Sequence, residues 1–506
     1  MSQNLKRSGG REARIRARTN PPPVYLPAVN RQVGPINLLS PDGVQKIHNT
    51  TLKILGGLGI VFRDARALAD WRKAGARVEG ERVYISQELL MELLAAVPSR
   101  YTFNARNPDR SVPVGDNYSI FANCYGAPFV YGLDGVRRRS ELEDSRNFLK
   151  LAQMSSAMHV AGILPVEPQD IPVPQRHLDL VSSALKLSDK PIMGSVISET
   201  AARDTIDMLR IVFGEEYVDT NVVVTALLNC NTPLIWDETM LSSLRVYAAA
   251  NQPALLTPFL LAGASAPASP LAGVALLVAE ALAGIAYAQV VRRGCPMVMG
   301  VALMGVSMKS GAPMLGTAEP GLMNLLVGQM ARHYRVPWRS CTMWTGSKMA
   351  DLQAGYDSAN SMWPVMLGGC NFIVHSAGFV EGSLGVSYAK WVQDSYQLEG
   401  FHRFFSGIAD EEMEPLLLDI QRVGPGGHFL GTDHTRENPF IMNRLQNNDT
   451  YEQWLDDGAK SAETVGVEEV KRQLGGYVAP PISDDIAGTL DAFVETRRAK
   501  YASIAA

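Results

Sequence analysis

The chain has 506 residues, of which 46% are hydrophobic and 19% are charged, and its formal net charge is −4 at pH 7. This apolar content excludes disorder over most of the chain, and the slightly negative charge argues against a dedicated nucleic-acid-binding protein, which usually carries a basic face. The five cysteines are widely spaced and form no C-x-x-C pair. We therefore expect neither a disulfide framework nor a cysteine zinc site, and we predict a cytoplasmic location.

The first thirty residues carry six lysines and arginines and one glutamate, with no apolar stretch behind them. A secretory signal would need such a stretch, so residues 1–30 are predicted to form a basic flexible arm. Residues 31–115 contain an amphipathic helix pattern near Pro41–Leu58 and short strand patterns. We predict that they form an N-terminal α/β cap.

Eight apolar, β-branched runs follow, 30 to 43 residues apart, with helix-patterned segments between them. Such runs are typical of parallel strands that helices cover on both faces. Eight repeats favour a (β/α)8 TIM barrel over residues 116–380 more than an open doubly wound sheet. Residues 381–506 are predicted to form a C-terminal helical extension packed on the barrel. The eight runs are Ser119–Cys124, His159–Pro165, Pro191–Ile197, Asn221–Asn229, Pro253–Leu260, Pro296–Leu303, Pro337–Met343 and Asn371–Ala377.

One of the helical segments, Leu271–Val291, is long and apolar enough to cross a membrane, and Glu280 is its only charge. A single span between soluble α/β patterns makes little sense, so we interpret it as a buried or interface helix and expect no membrane association. Its alanine and glycine content makes a homo-oligomer plausible.

In a barrel of this kind the functional site lies at the carboxyl ends of the strands. The residues at or just past the ends of the runs combine aromatic rings, amides, one carboxylate and one imidazole, without the His, Asp and Glu cluster that a catalytic metal needs. We therefore expect no metal site. Aromatic rings at this position suit a cationic ligand, although ordinary packing explains each ring equally well. The ring of residues is Asn123, Tyr125, Glu167, Ser195, Asn229, Phe259, Met304, Trp344, His375 and Ser376.

Several short motifs together resemble the trimethylamine methyltransferase family of corrinoid-dependent methyltransferases. The resemblance covers roughly residues 30–480. The motifs are Asn231-Thr-Pro-Leu-Ile-Trp-Asp237, Ala279-Glu280-Ala-Leu-Ala-Gly284, Ser347-Lys348-x-x-Asp351-x-Gln353-Ala-Gly355, Ser376-Ala-Gly378-Phe-Val-Glu381 and Val423-Gly-Pro-Gly-Gly-His428-Phe-Leu430.

The resemblance implies a (β/α)8 barrel that moves a methyl group from a methylated amine to the cobalt of a separate corrinoid protein. Cobalamin would then be held by the partner, with no cofactor bound in this chain. The family's trimethylamine enzymes carry pyrrolysine, whereas this chain has only the standard residues. The resemblance therefore implies a substrate such as glycine betaine, a small quaternary amine. Such a nitrogen already carries its positive charge and leaves as a neutral amine without an acid.

The same resemblance makes Asp351, Gln353 and Glu381 the candidate catalytic residues, because they lie in matched motifs after predicted strands. Asp351 and Gln353 could instead cap the next helix, and Glu381 could form a structural salt bridge. His375 either orients a substrate carboxylate or makes a hydrogen bond within the barrel. The candidate substrate-binding residues are Asn123, Tyr125, Glu167, Asn229, Trp344 and His375.

Two other functions remain open at this point. The chain could be a methyltransferase for trimethylamine or another methylamine, or a betaine-binding sensor or carrier without turnover. A gene for a corrinoid protein beside the gene for this chain would favour one of the two methyltransferase functions over the sensor or carrier.

Overall fold

The computed structural model describes residues 25–408, 410–437 and 443–505. The strands, in chain order, are β1 (Val29–Asn30), β2 (Ile60–Phe62), β3 (Arg77–Glu79), β4 (Arg82–Tyr84), β5 (Arg100–Phe103), β6 (Val112–Gly115), β7 (Tyr118–Phe121), β8 (Phe129–Tyr131), β9 (Arg137–Arg139), β10 (Ile192–Gly194), β11 (Val224–Leu228), β12 (Ile235–Trp236), β13 (Ala254–Leu256), β14 (Phe259–Ala262), β15 (Val298–Gly300), β16 (Ala302–Val306), β17 (Pro313–Met314), β18 (Trp338–Cys341), β19 (Phe372–Val374), β20 (Phe379–Val380) and β21 (Gly385–Ser387).

The α-helices alternate with these strands in the central part of the chain and follow one another in its last hundred residues. In chain order they are α1 (Pro41–Lys53), α2 (Ala65–Lys73), α3 (Gln87–Leu94), α4 (Leu142–Met154), α5 (Arg176–Leu187), α6 (Glu199–Phe213), α7 (Glu215–Thr220), α8 (Glu238–Ala249), α9 (Pro270–Val291), α10 (Ala318–Tyr334), α11 (Leu352–Leu367), α12 (Tyr388–Phe405), α13 (Met413–Val423), α14 (Asp433–Glu437), α15 (Tyr451–Asp456), α16 (Ala462–Gly475) and α17 (Asp484–Ala505).

The core of the mixed α/β fold is a curled sheet in which seven strands run parallel in the order β10-β11-β13-β15-β18-β19-β7. β6 and β5 continue this sheet beyond β7 with antiparallel pairing. Six of the seven parallel strands lie within one of the predicted apolar runs, and β7 begins one residue before its run. The α/β class and the strand positions therefore agree with the sequence prediction.

The predicted run at His159–Pro165 is the exception, because it contains no regular strand. It makes one parallel bridge, Val160 to Ala122, and Ala161 donates a hydrogen bond to the carbonyl of Pro191 at 3.0 Å. The segment thus lies between β7 and β10. Its pairing is irregular because the Nδ1 of His159 accepts the backbone N–H of Phe121 at 3.0 Å, a donor that a regular ladder would use.

Helix α9 is the apolar segment that resembles a membrane span. Among the described residues it is the one helix long and apolar enough to cross a bilayer, and 83% of its most apolar window is buried inside the protein. Ser269 caps its first turn and Pro270 occupies the first helical position, which explains where the helix begins. The helix is packed among α1, α3, α8 and α10 of its own chain. The homo-oligomer expected from this helix stays a prediction.

The two ends of the chain pack differently. Residues 1–24 of the predicted arm lie outside the described residues, whereas Val29 is fully buried and pairs with Ser119 of β7. In the C-terminal extension, α16 packs on α12, and α17 packs on α5 and α6. Helix α13, in contrast, buries none of its residues, and Met413, Leu417 and Ile420 on its apolar stripe are exposed.

Candidate functional site

The carboxyl ends of the parallel strands open between two small sheets. The sheet β14-β16-β17 extends from the ends of β13 and β15, and the sheet β20-β21-β8-β9 extends beyond β19 and β7. Predicted rim residues at this end include Asn229 and Phe259, which are exposed.

An aromatic cluster of Trp344, His375 and Phe379 lies just past the ends of β18 and β19. The ring centroids of Trp344 and His375 are 5.2 Å apart, and those of His375 and Phe379 are 4.8 Å apart. Phe379 also meets Trp344 edge to face at 6.4 Å. All three side chains are buried. The structure therefore joins two predicted site residues, Trp344 and His375, into one wall.

A buried ion pair supports the loops that carry this wall. Lys390 Nζ donates to Asp394 at 2.5 Å and to the carbonyl of Met343 at 3.0 Å. Asp394 also accepts the backbone N–H of Gly378 at 2.8 Å. Met343 and His375 both have positive φ, at 55° and 60°. Such strained backbone in non-glycine residues concentrates at functional sites.

Several buried polar atoms here have no hydrogen-bond partner among the described residues. They are Trp344 Nε1, His375 Nδ1 and Thr342 Oγ1. Buried donors in folded proteins are nearly always satisfied, so unsatisfied ones need an explanation. Burial, and then the nearby Arg339, hold the pKa of His375 well below its ordinary value, so its imidazole is neutral.

Asn123, in contrast, has its side chain fully engaged by the protein. Its amide nitrogen donates to the carbonyls of Ala161 at 3.0 Å and Phe148 at 3.3 Å. Its oxygen accepts the indole N–H of Trp391 at 2.8 Å. These bonds fasten the irregular segment at Val160 to β7.

Tyr125 and Glu167, both predicted to bind substrate, lie close enough to interact electrostatically. Burial, and to a lesser degree the charge of Glu167, raise the pKa of Tyr125 to about 12, so its hydroxyl is protonated. The Glu167 carboxylate accepts from Arg176 Nη1 at 2.7 Å and is 44% exposed. The backbone N–H of Glu167 donates to the carbonyl of Ala127 at 2.8 Å, so Tyr125 and Glu167 lie on paired segments.

Asp351 and Gln353 lie on the exposed first turn of α11. Asp351 is the N-cap, accepting the N–H of Ala354 at 2.9 Å and the hydroxyl of Ser347 at 2.8 Å. These bonds, the Ala354 N–H first, lower the pKa of Asp351. Gln353 donates to Asp357 at 3.3 Å. The capping interaction considered from the sequence is thus present for Asp351.

Glu381 forms the salt bridge that the sequence left open. Its carboxylate accepts from Arg137 at 2.7 and 3.0 Å and from the hydroxyl of Tyr131 at 3.0 Å. Arg137, followed by Tyr131, lowers the pKa of Glu381. The backbone N–H of Glu381 donates to Ser347 at 2.6 Å. Glu381 therefore connects β8 and β9 of the sheet β20-β21-β8-β9 to the loop that precedes α11.

Two of the sequence motifs meet at Glu280. This fully buried carboxylate accepts from the Thr232 hydroxyl at 2.9 Å, the Leu234 N–H at 2.5 Å and the Cys230 thiol at 3.3 Å. The indole of Trp236 donates to the Glu280 carbonyl at 3.3 Å. The single charge of α9 thus fixes the loop after β11.

Arg339 and Phe379 are site residues that the sequence reasoning missed. It considered only residues at or beyond the carboxyl ends of the runs, and Arg339 is the second residue of β18. The available signal was an arginine in the middle of a run predicted to be a buried strand, where charged residues are rare. Within residues 25–408, 410–437 and 443–505, no group of three or more His, Cys, Asp or Glu is placed to hold a metal ion.

The model of the trimethylamine methyltransferase family matches residues 7–502 of the sequence. The chain belongs to this family. The family that the motifs resemble is therefore confirmed. The match includes the central sheet and the helices that precede and follow it.

Relatives within this family include the glycine betaine methyltransferase of Desulfitobacterium hafniense strain Y51, which is 37% identical over 91% of this chain and 97% of its own length. The L-carnitine:corrinoid methyltransferase of Eubacterium limosum is 29% identical over 77% of this chain and 82% of its own. Among solved structures, the monomethylamine methyltransferase of Methanosarcina barkeri superposes with a TM-score of 0.45 at 9% identity, over 92% of this chain and 98% of its own.

Proposed function

We propose that this chain is a methyltransferase that moves a methyl group from glycine betaine, or a closely related quaternary amine, to the cobalt of a separate corrinoid protein. The 37% identity to a glycine betaine methyltransferase over 91% of the chain supports this substrate. The structural observation that carries the proposal is the buried wall of Trp344, His375 and Phe379 at the carboxyl end of the sheet.

The wall binds the substrate through its cationic head. A quaternary ammonium is attracted to the face of an aromatic ring by about 0.5–2 kcal/mol per contact, the higher value applying when water is excluded. Trp344 and Phe379 are both less than 10% exposed, so water is largely absent from this contact. The positive charge disperses as the C–N bond breaks, and moderate ring contacts suit that change better than a tight ion pair.

Transfer of the methyl group depends on aligning its carbon with the cobalt and does not require an acid or a base. The nitrogen keeps the C–N bonding pair and becomes a neutral tertiary amine, so no proton is required at the leaving group. The corrinoid of the partner supplies the nucleophile. The work of this chain is therefore to fix the methyl carbon in line with the incoming cobalt and to exclude water, which is catalysis by proximity.

The remaining predictions belong to the same proposal. We propose that the irregular segment at Val160 is the eighth unit of a (β/α)8 barrel, because it lies between β7 and β10. Asp351, Gln353 and Glu381 act at the rim where the corrinoid protein docks. The side of the site opposite this rim is formed by four further residues, Asn123, Tyr125, Glu167 and Asn229. We place the reaction in the cytoplasm.

Calorimetric titration tests the substrate. We expect glycine betaine to bind more tightly than trimethylamine by at least about tenfold, because at neutral pH trimethylammonium also presents a hydrated N–H that the aromatic wall cannot satisfy. Tighter binding of trimethylamine would instead support the methylamine reaction that gives the family its description. Binding of glycine betaine without methyl transfer to any corrinoid would support the betaine sensor or carrier.

A further inference from the structure

Arg339 is 1% exposed, and its guanidinium contacts the thiol of Cys341, which stays uncharged because burial raises its pKa to about 11. Its Nη1 donates to the carbonyl of Val301 at 3.2 Å, and its Nη2 lies 3.5 Å from His375 Nε2. Its Nε has no hydrogen-bond partner, and no Asp or Glu of the described residues forms an ion pair with it. The side chain is thus a buried cation without an anion.

Each of the other buried lysines and arginines of the described chain has either a carboxylate or three oxygen acceptors, although Arg176 and Arg245 also leave Nε without a partner. Arg176, Arg245 and Lys390 each form an ion pair with a carboxylate at 2.5–2.7 Å. Lys190 donates to three backbone carbonyls at 2.7–2.8 Å. Arg31 donates to two carbonyls and a hydroxyl. Arg339 differs from these residues because it has no carboxylate and only one oxygen acceptor, the carbonyl of Val301.

An unpaired buried charge is among the costliest arrangements in a protein interior. Burying Arg339 only to fill space would not stabilise the fold, because an apolar residue could fill the same space without the free-energy cost of removing a charge from water. A buried guanidinium with free donors fits a carboxylate, which accepts two of its N–H groups in parallel. An anion that arrives with the substrate would complete this site.

His375 supplies a second free donor. Its neutral imidazole faces the Arg339 guanidinium, which has no lone pair, so Nε2 is the acceptor and Nδ1 carries the hydrogen. That Nδ1 is buried without a partner. The ring of His375 also contacts Trp344, at 5.2 Å between centroids. His375 therefore joins the cationic group inside the sheet to the aromatic wall at its end.

We infer that Arg339 and His375 form a carboxylate subsite beneath the aromatic wall, so that the substrate is a quaternary amine that also carries a carboxylate. This inference rests on the proposed function and narrows its substrate class. The carboxylate lies toward Arg339, inside β18, and the ammonium lies beside Trp344 and Phe379, past the strand ends. In this orientation the methyl groups point to the open rim.

The orientation explains how one small molecule meets both requirements. In glycine betaine a single CH2 separates the ammonium from the carboxylate. His375 contacts both Arg339 and Trp344, so the places proposed for the carboxylate and for the ammonium are only one side chain apart. Trimethylamine and choline lack the carboxylate and would leave Arg339 unpaired. The subsite therefore selects betaines over simple methylamines by the charge that they neutralise.

Three ligands separate the two halves of the site. Glycine betaine carries both charges, tetramethylammonium carries only the cation, and 3,3-dimethylbutanoate is the neutral-headed carbon analogue that keeps the carboxylate. We expect Arg339→Met to weaken glycine betaine and 3,3-dimethylbutanoate by at least about thirtyfold in calorimetry, since hydrogen bonds to a charged group are lost. Tetramethylammonium should bind the variant as well as it binds the wild type, or better.

Two further variants control for damage to the fold. Arg339→Lys keeps the positive charge but loses the paired N–H donors of the guanidinium. Compared with Arg339→Met, it should therefore recover part of the affinity for the two ligands that carry a carboxylate. Arg403→Met removes an exposed arginine at the end of α12 and should leave all three affinities unchanged. If Arg339→Met weakens all three ligands equally, or weakens none, the subsite is wrong.

The failure of the subsite is distinguishable from failure of the proposed function. If the wild type binds tetramethylammonium as tightly as glycine betaine and still demethylates glycine betaine, the function stands and the subsite fails. If it binds 3,3-dimethylbutanoate with Arg339 dependence but rejects every quaternary amine, the carboxylate subsite stands and the substrate class fails. If it binds none of the three ligands, both are wrong.

Discussion

The indole of Trp344 and the imidazole of His375 lie 5.2 Å apart, and each carries a buried nitrogen that no described residue pairs. The two residues come from loops after neighbouring strands, β18 and β19. Parallel strands bring their carboxyl ends to one edge, which is why 31 residues of separation in the sequence become a direct contact.

Replacing Trp344 tests the aromatic wall. Trp344→Ala should weaken glycine betaine and tetramethylammonium by about fivefold to thirtyfold, because a desolvated cation–π contact is lost. Trp344→Phe retains a ring face and should lose less. The binding of 3,3-dimethylbutanoate, which has no positive charge, reports the packing loss alone. An equal loss for the neutral analogue would show that Trp344 only fills space.

The N-cap at Asp351 separates a structural role from a functional one. Asp351→Ala should lower the free energy of unfolding by about 1 kcal/mol, whereas Asp351→Ser keeps a capping oxygen and should lower it only slightly. If the carboxylate also acts at the rim, as proposed, Asp351→Ser should still lower methyl-transfer turnover by about fivefold or more. Urea denaturation and turnover assays on both variants check this. If Asp351→Ser has the turnover of the wild type, Asp351 serves only as the N-cap of α11 and has no role in methyl transfer.

Glu280 should be a stability residue rather than a binding residue. Glu280→Gln places an amide where the Leu234 N–H and the Thr232 hydroxyl both need an acceptor. We expect the free energy of unfolding to fall by about 1–3 kcal/mol, the cost of unsatisfied buried donors. Thr232→Val, which removes one donor, should cost less. A glutamine variant as stable as the wild type, in urea or thermal unfolding, would refute this role.

Acid should destabilise the protein through His159. Burial lowers the pKa of His159 to about 3, against an ordinary value of 6.5. Between these values the unfolded chain binds a proton that the folded chain does not, so the free energy of unfolding falls as pH falls below about 6.5, by up to roughly 1.4 kcal/mol per pH unit.

The His159→Gln variant checks this linkage, because its amide can accept from Phe121 and donate to Pro27 while remaining neutral. The slope of unfolding free energy against pH from 6 to about 4 should be shallower than in the wild type by close to one proton. His428→Gln, at an exposed position, is the matched control. Parallel slopes in the wild type and His159→Gln would contradict the linkage.

Much of the fold could be predicted because the signals are local. The run Pro337–Met343 contains β18, and the start of α9 follows from Ser269 and Pro270. The strand expected at His159–Pro165 is irregular because a side chain competes for a ladder donor, which apolar content does not reveal. The exposed apolar stripe of α13 depends on what packs against it, which its own sequence does not specify.

The site was predictable only in part for a related reason. Trp344 and His375 follow strand ends, so the rule for parallel sheets finds them. Arg339 lies within a strand, and its importance comes from the absence of a partner carboxylate, a property of the packed interior. Asn123 follows a strand end as well, yet its side chain serves the fold, since its hydrogen bonds go to the neighbouring segment.

The most direct test of the proposed reaction is methyl transfer to cobalt. Purified protein would be incubated anaerobically with reduced cob(I)alamin and either glycine betaine or trimethylamine, while absorbance follows the methylated cobalamin and mass spectrometry follows the amine. We predict methylated cobalamin and dimethylglycine in equal amounts from glycine betaine, and none from trimethylamine. Methylation from trimethylamine but not from glycine betaine, or none from either with the cognate corrinoid protein present, would contradict the proposed function.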